Sequence, residues 1–195
     1  IGASTNNGLP YTNALGEQYN VERLNYLISD ITLHDDNKMS TLLKEVHFVD
    51  VSDESTLTIN IDEINIANYS SISFRMGLDT TKNISNKYLN KDFHSTMAWP
   101  DLIGGGYHYM KLEGSFDTIT KFYNTHTGGF DNKDYSFENN LELPPLKIYI
   151  NMEINNWYHN PNTIYLESGI MQNKEKQTLL QANGSADVFS LNVNK

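Results

Sequence analysis

The stretch from Leu24 to Leu33, LNYLISDITL, decides the fold class. Apolar residues fall on alternate positions from Leu24 to Ile28, and the alternation resumes in the opposite phase from Ile31 to Leu33. A period of two places every second side chain of a β-strand on one face of a sheet. The change of phase predicts a β-bulge at Ser29-Asp30, or a turn there between two short strands.

The rest of the chain repeats this pattern in short segments separated by polar turns. Residues 1–20 are rich in Gly, Asn and Thr and are predicted to be irregular, and long polar loops are predicted over 80–105 and 130–144. One short helix is predicted over 173–183. Further strands are predicted at 46–51, 56–66, 69–77, 107–116, 119–126, 146–155 and 187–193.

The composition agrees with a strand-rich chain. Tyr (12 residues) and Phe (8 residues) favour strands, and the many Asn residues favour turns. About eight to ten strands with almost no helix indicate an all-β fold, either a sandwich or a barrel. No repeat, low-complexity tract or linker divides the sequence, so a single domain over residues 1–195 is expected.

Charge and cysteine content narrow the classes of partner. The net charge of −10, from 14 Lys and Arg against 24 Asp and Glu, disfavours binding to nucleic acids and to anionic membranes. The absence of cysteine excludes disulfides and thiolate metal sites. No apolar run approaches the roughly 18 residues of a transmembrane helix. The chain begins with Ile1, which is typical of a processed form from which a leader was removed.

The motifs of common hydrolases and nucleotide-binding enzymes are missing from the sequence. The acidic residues are dispersed over turns, without the spacing of a calcium-binding loop. No Gly-x-Ser-x-Gly motif occurs, and the run Gly104–Gly106 is not followed by the Lys-Ser or Lys-Thr pair of a phosphate-binding loop. The sequence therefore predicts a binding protein rather than an enzyme.

Two of the six histidines differ from the others in their setting. His94 lies in the first long loop, within FHSTMAWP, and His126 closes a predicted strand. Two imidazoles and the thioether of Met97 would suit a soft or borderline metal such as Cu(I) in a chain without thiolates. The alternative is structural, since a histidine can satisfy a strand-end carbonyl and a methionine commonly fills a core. The spacing alone leaves both interpretations open.

Six stretches, in a fixed order, carry a family resemblance. They are YTNALGE at 11–17, LNYLISDITL at 24–33, ISFRMGLD at 72–79, MAW at 97–99, GYHYMKLEG at 106–114 and HTG at 126–128. Through these stretches the sequence resembles the MbnP family, periplasmic copper-binding proteins that are associated with methanobactin and found more widely in bacteria. The resemblance covers roughly residues 11–129.

The resemblance implies a fold and a site. The fold is an antiparallel β-sandwich with long loops and at most one short helix. The site is one Cu(I) held by His94, His126 and a Trp99 that has become kynurenine, made by a partner dihaem enzyme of the cytochrome c peroxidase type. An unmodified indole is a poor ligand because its nitrogen lone pair belongs to the aromatic system. The implied location is the periplasm or the cell surface, with a lipid anchor on the removed leader.

A second hypothesis belongs to another functional class. A cell-surface carbohydrate-binding or adhesion module could keep the sandwich and lack the metal. Exposed tyrosines and the pair Trp157-Tyr158, with neighbouring asparagines, would then contact a polysaccharide. Under this hypothesis Trp99 packs over the edge of the sandwich and anchors its loop.

Overall fold

The computed structural model describes residues 9–37, 39–61, 64–144 and 148–193. Within these ranges the chain forms ten β-strands, two α-helices and five short 3-10 helices. The strands are β1 (Tyr11–Thr12), β2 (Gln18–Tyr19), β3 (Arg23–His34), β4 (Ser40–Asp50), β5 (Ser71–Met76), β6 (His108–Phe116), β7 (Lys121–Gly128), β8 (Phe137–Glu142), β9 (Ile148–Met152) and β10 (Phe189–Val193). The α-helices are α1 (His94–Met97) and α2 (Lys174–Asp187), and the 3-10 helices lie at Glu54–Leu57, Ile66–Asn68, Asp101–Ile103, Ile154–Tyr158 and Ile170–Gln172.

The longest strand, β3, is the centre of an eight-stranded antiparallel sheet. It pairs with β4 along one edge, and with β6 and then β5 along the other. The sheet continues from β5 to β8 and from β6 to β7 and β2, and β2 pairs with β1 at the end of the sheet. A separate antiparallel pair consists of β9 and β10. The predicted all-β antiparallel class is therefore confirmed.

The bulge predicted in β3 is present. Asp30 has a φ of 55°, and the pairing of β3 with both β4 and β5 shifts register beside it. The extra residue brings Ile28 and Ile31, three positions apart, into the same buried cluster. Aspartate adopts a left-handed φ more readily than a β-branched residue does, which explains why the phase changes at this position.

Two apolar clusters fill the interior. The larger lies between the eight-stranded sheet and a cover made of the β9–β10 pair, α2 and the segment from 154 to 170; it includes Phe74, Trp157 and Leu180. The smaller cluster packs the long segment between β5 and β6 against Leu27 of β3. Burial of these large side chains holds residues 77–107 against the sheet.

One strand prediction and one loop prediction are wrong. The strand expected over 56–66 does not form in its described part, which is flanked by short 3-10 helices with Asp53 and Asn65 as N-caps. These side chains accept hydrogen bonds from backbone N–H groups two residues further on and so compete with extended structure. The loop expected over 130–144 contains β8, which pairs with β5 along its whole length.

The arm expected to be irregular over 1–20 contains the short paired strands β1 and β2 in its described part. Two other predictions are confirmed with shifted bounds. The helix expected over 173–183 is α2, which continues to Asp187. The strand expected over 146–155 is observed as β9, and residues 145–147 lie outside the described residues, as do residues 1–8 of the expected irregular arm. Within the described part of the chain, neither helix combines the length and the hydrophobicity that crossing a bilayer requires.

Candidate metal centre

The pairing of β6 with β7 brings two histidines to one face of the sheet. His126 lies opposite Lys111, and Gly128 lies opposite His108. Directly opposed residues share a face, as do residues two apart on one strand, so His108 and His126 point to the same side. A register shift between His108 and Met110 makes this possible, because in a regular strand His108 would share the core-facing side of Met110.

Trp99 reaches this face because the chain folds back between Trp99 and Gly106. The backbone N–H of Trp99 donates to the carbonyl of Gly106 at 2.9 Å, and Ala98 forms an isolated bridge with Tyr107. The turn ends in Gly104–Gly106, whose φ angles are 120°, 67° and 85°. Glycine adopts this left-handed region without steric conflict, so the glycine run permits the fold-back.

The indole of Trp99 is buried directly against β7. A Cβ added at Gly128 would lie 2.6 Å from Cε3 of the indole, so the ring fits only against a residue without a side chain. The indole N–H donates to the carbonyl of Ile103 at 3.2 Å, and Trp99 is 3% exposed. Gly128 thus provides the space that the tryptophan occupies.

Trp99, His108 and His126 form a continuous series of ring contacts, which we call the Trp–His–His row. The ring centroids of Trp99 and His108 are 4.7 Å apart, and those of His108 and His126 are 5.0 Å apart. Both contacts are T-shaped, with interplanar angles of 66° and 85°. The structure therefore places two of the sequence-predicted residues on either side of His108, which the sequence did not single out.

The hydrogen bonds of His108 determine which ring nitrogen has a free lone pair. Its Nδ1 lies 3.2 Å from the carbonyl oxygen of Met97, and a carbonyl only accepts, so Nδ1 carries the proton. Its Nε2 is buried and has no hydrogen-bond partner among the described residues. Burial, followed by the charges of Lys111 and His126, lowers the pKa of His108 to about 3, so the ring is neutral at physiological pH.

A carboxylate on the neighbouring strand holds His126. Nε2 of His126 donates to Oε1 of Glu113 at 2.7 Å, and the other oxygen of Glu113 lies 3.1 Å from the guanidinium of Arg23. The proton is therefore on Nε2, and the lone pair is on Nδ1. Burial lowers the pKa of His126, although the hydrogen bond to Glu113 opposes the shift, so this ring is also neutral at physiological pH.

His94, the third predicted ligand, has a different partner. Its Nδ1 lies 2.9 Å from the hydroxyl of Tyr107, and its ring contacts the ring of the same tyrosine. The hydroxyl of Tyr107 also accepts a hydrogen bond from the backbone N–H of Tyr88 at 2.8 Å. The ring contacts thus link Trp99 and His126 through His108 and link His94 to Tyr107.

Met97 contributes to the site through its backbone. Its side chain is fully buried in the smaller apolar cluster, and its carbonyl accepts from His108. Within the described ranges, no group of three or more His, Cys, Asp or Glu side chains is placed to hold a metal ion. The donors that the Trp–His–His row itself offers are instead the two imidazoles of His108 and His126.

The expectation that Trp157 and Tyr158 are surface residues is wrong. Each is 1% exposed and packs in the larger cluster, and the hydroxyl of Tyr158 bonds to that of Thr125 at 2.7 Å. Their apolar surface stabilises the core, and it does not contact solvent.

A polar cleft of about 240 Å³ lies beside the turn that carries Trp99. The side chains that line it include Asn83, Tyr109, Phe130 and Asp134, and the backbone of Gly104 forms part of its wall. The hydroxyl of Tyr109 donates to Asp134 at 3.0 Å and accepts from the amide of Asn83 at 3.3 Å. Amides, a carboxylate and an aromatic ring in one cleft form a surface suited to a polar ligand.

Comparison with known proteins agrees with the resemblance found in the sequence. The family model described as MbnP matches residues 3–186. Among solved structures, the chain is similar to MbnP from Methylosinus trichosporium with a TM-score of 0.61 and 10% sequence identity, over 94% of this chain and 91% of the other, a likeness that concerns the fold alone. No curated protein matches the chain significantly. Because the family model spans nearly the whole sequence, the chain belongs to the MbnP family.

Proposed function

We propose that this protein binds one copper ion as Cu(I) at the Trp–His–His row. The observation that carries the proposal is Nε2 of His108, which is buried between Trp99 and His126 and has no hydrogen-bond partner in the described part of the chain. Buried polar atoms in proteins are normally satisfied, so such an atom beside a second neutral imidazole points to a ligand. Of the three ligands predicted from the sequence, the proposed site keeps Trp99 and His126 and replaces His94 with His108.

The chemistry of the donors favours Cu(I). Both histidines are neutral, so they offer nitrogen lone pairs without adding charge to a buried site. The nearby carboxylate of Glu113 is engaged by His126 and Arg23. A monovalent ion of low coordination number needs less compensating charge than a divalent one. Glu113 would act on a bound metal indirectly, by fixing the tautomer and orientation of His126.

Trp99 would become a ligand only after modification. Oxidative opening of its pyrrole ring would give kynurenine, whose aniline nitrogen can donate a lone pair. The family resemblance supports this step and supports a dihaem enzyme of the cytochrome c peroxidase type as the partner that performs it. The fully buried contact of Trp99 with Gly128 would hold the modified ring beside His108.

The proposal describes a copper-handling protein without catalytic turnover. The sequence shows no nucleophile or acid–base constellation, which supports this proposal. Membership of the MbnP family supports it as well. The proposed location is the periplasm or the cell surface. These assignments follow from the family, and a copper-handling role is compatible with each of them.

The decisive experiment compares histidine variants in protein purified from the native host. Mass spectrometry of the peptide that contains Trp99 establishes whether kynurenine is present. Competition with a chromophoric Cu(I) chelator then measures affinity. We expect His108→Ala and His126→Ala to abolish stoichiometric binding and His94→Ala to retain it. Retention by His108→Ala together with loss in His94→Ala would restore the ligand set predicted from the sequence and overturn this one.

A second candidate function is carbohydrate binding, and the polar cleft favours it. Asn83 and Asp134 can hydrogen-bond to hydroxyl groups, and Phe130 offers a ring against which a sugar can stack. Glycan-array retention that survives Trp99→Phe and is lost in Asp134→Ala would support this function. If the unsubstituted protein binds no glycan on the array, carbohydrate binding is excluded.

A further inference from the structure

A small void lies behind β7, between α2 and the eight-stranded sheet, with a volume of about 10 Å³. Three of the residues that line it are Tyr135, Trp157 and Gln177. Each of these three carries a buried polar atom without a hydrogen-bond partner among the described residues: Oη of Tyr135, Nε1 of Trp157 and Oε1 of Gln177. Unpartnered buried atoms are rare in native proteins, so three around one void require an explanation.

The orientation of the Gln177 amide is determined by its other contacts. Its Nε2 donates to the carbonyl of His126 at 2.7 Å and to the carbonyl of Ile170 at 3.3 Å. Both partners are acceptors only, so the atom that faces them is the nitrogen. Oε1 of Gln177 is therefore an acceptor that still lacks a donor.

We infer that the void binds one water molecule that joins these three atoms. The volume is that of a single water, and two to four polar partners are what a buried water needs. The water would accept from the indole N–H of Trp157 and donate to Oε1 of Gln177, and the hydroxyl of Tyr135 would serve as its third partner. A cation is disfavoured by the N–H group and an anion by the carbonyl oxygen, so the ligand both donates and accepts.

The water connects elements that are distant in sequence. Gln177 belongs to α2, Trp157 belongs to the 3-10 helix at 154–158, and Tyr135 lies two residues before the start of β8. Because the Gln177 amide also binds the carbonyl of His126, a water on its oxygen would fix the amide that holds β7 at this position. The effect of the water on His126 as a ligand rests on the proposed copper function. The water site itself is independent of that function.

The first test is a high-resolution crystal structure of the full chain. We expect one solvent peak within hydrogen-bond distance of Tyr135 Oη, Trp157 Nε1 and Gln177 Oε1. An empty void, or a rearrangement in which these side chains bond directly to one another, would overturn the inference. This test needs no copper, so its outcome is independent of the proposed function.

The second test uses two matched Tyr→Phe substitutions. Tyr88 also has a buried hydroxyl without a partner among the residues that the structure describes, but Tyr88 does not line this void. We expect Tyr135→Phe to lower the thermal midpoint by several degrees, because the hydroxyl binds the water, and Tyr88→Phe to leave it unchanged or raise it. A stabilised Tyr135→Phe would show that its hydroxyl has no partner and would contradict the water site.

The third test concerns the link to His126. Gln177→Met has a similar shape but can neither accept from the water nor donate to the His126 carbonyl. We expect this variant to lower Cu(I) affinity severalfold while the histidine variants abolish binding. Unchanged affinity in Gln177→Met, with the solvent peak present, would refute the positioning role and leave the water site intact.

Discussion

His108 and Gly128 face each other across the β6–β7 pair, and the missing side chain at Gly128 is what allows Trp99 to lie beside the His108 imidazole. A glycine, a histidine and a tryptophan from three places in the sequence thus form one packing unit. The space at Gly128 is as much a part of the candidate site as the donors are.

Gly128→Ala should displace the indole of Trp99. The new methyl group would lie 2.6 Å from Cε3 and 2.7 Å from Cζ3 of the indole, closer than side chains approach one another. We expect a loss of about 1–3 kcal/mol in the free energy of unfolding, typical of an overpacked core, and a fall in Cu(I) affinity. Urea titration and the chelator competition measure the two effects. Unchanged values of both would mean that the indole is not held against β7.

Glu113→Gln should weaken copper binding without abolishing it. The substitution removes the charge that orients the Nε2–H of His126, and such loss of an outer partner typically lowers metal affinity about 10- to 100-fold. The matched control is Glu138→Gln, which breaks the exposed ion pair of Glu138 with Arg75 elsewhere in the sheet. Equal Cu(I) affinities for the two variants would argue against a role for Glu113 in orienting His126.

The stability of the metal-free protein should fall as the pH is lowered through 6, in part because of His47. Burial, followed by the charge of Lys44, lowers the pKa of His47, although its hydrogen bond to the carbonyl of Thr56 opposes the shift. The unfolded state then binds the proton more tightly, so the contribution is present above the unfolded pKa of about 6.5 and is lost below it. One histidine can change the free energy of unfolding by at most about 1.4 kcal/mol per pH unit.

Urea titrations between pH 7 and pH 5 check this dependence. We expect His47→Gln, which can still donate to the Thr56 carbonyl, to reduce the slope. The control is His159→Gln, which replaces a histidine at an exposed position. Identical slopes in all three proteins would show that His47 titrates alike in the folded and unfolded states.

Lys82→Met should loosen the segment that carries Trp99. The ammonium of Lys82 lies 3.0 Å from Asp30 in the β3 bulge and 2.8 Å from Asp79, and its side chain is only 14% exposed. Removing it leaves two partly buried carboxylates facing each other, so we expect a loss of about 1–3 kcal/mol. The exposed pair of Lys121 with Asp117 is the control, and Lys121→Met should change stability by less than about 0.5 kcal/mol.

Hydrogen exchange measured on residues 80–105 distinguishes a local effect from a global one. Faster exchange confined to this segment in Lys82→Met is the expected result, because the lysine connects the segment to β3. Exchange that accelerates equally in all strands would show that Lys82 stabilises the fold as a whole and does not act as a local tether.

The sequence predicted the strands well where burial alternates, and it predicted the bulge at Asp30 because the apolar phase changes there. It could not predict β8, since a strand with polar residues on its exposed face has the composition of a loop. The strand predicted over 56–66 does not form in its described part. Apolar residues alternate there, but Asp53 and Asn65 cap short 3-10 helices on either side.

Of the three residues in the Trp–His–His row, the sequence singled out two, for a related reason. Trp99 and His126 stood out through their motifs, whereas His108 looked like one more polar residue of a strand. Its face depends on the register shift next to Met110, which no local pattern reveals. A usable signal was the glycine run Gly104–Gly106, because a chain that folds back there brings the start of β6 next to Trp99.

The outer edge of β7 has a further consequence for the behaviour of the protein in solution. No second strand pairs with this edge among the described residues; the N–H of Asn124 instead donates to the carbonyl of Glu167, and Gln177 occupies the carbonyl of His126. Open strand edges invite pairing between molecules and lead to aggregation. The Gln177 contact that supports the proposed ligand His126 therefore also covers part of this edge and disfavours self-association through β7.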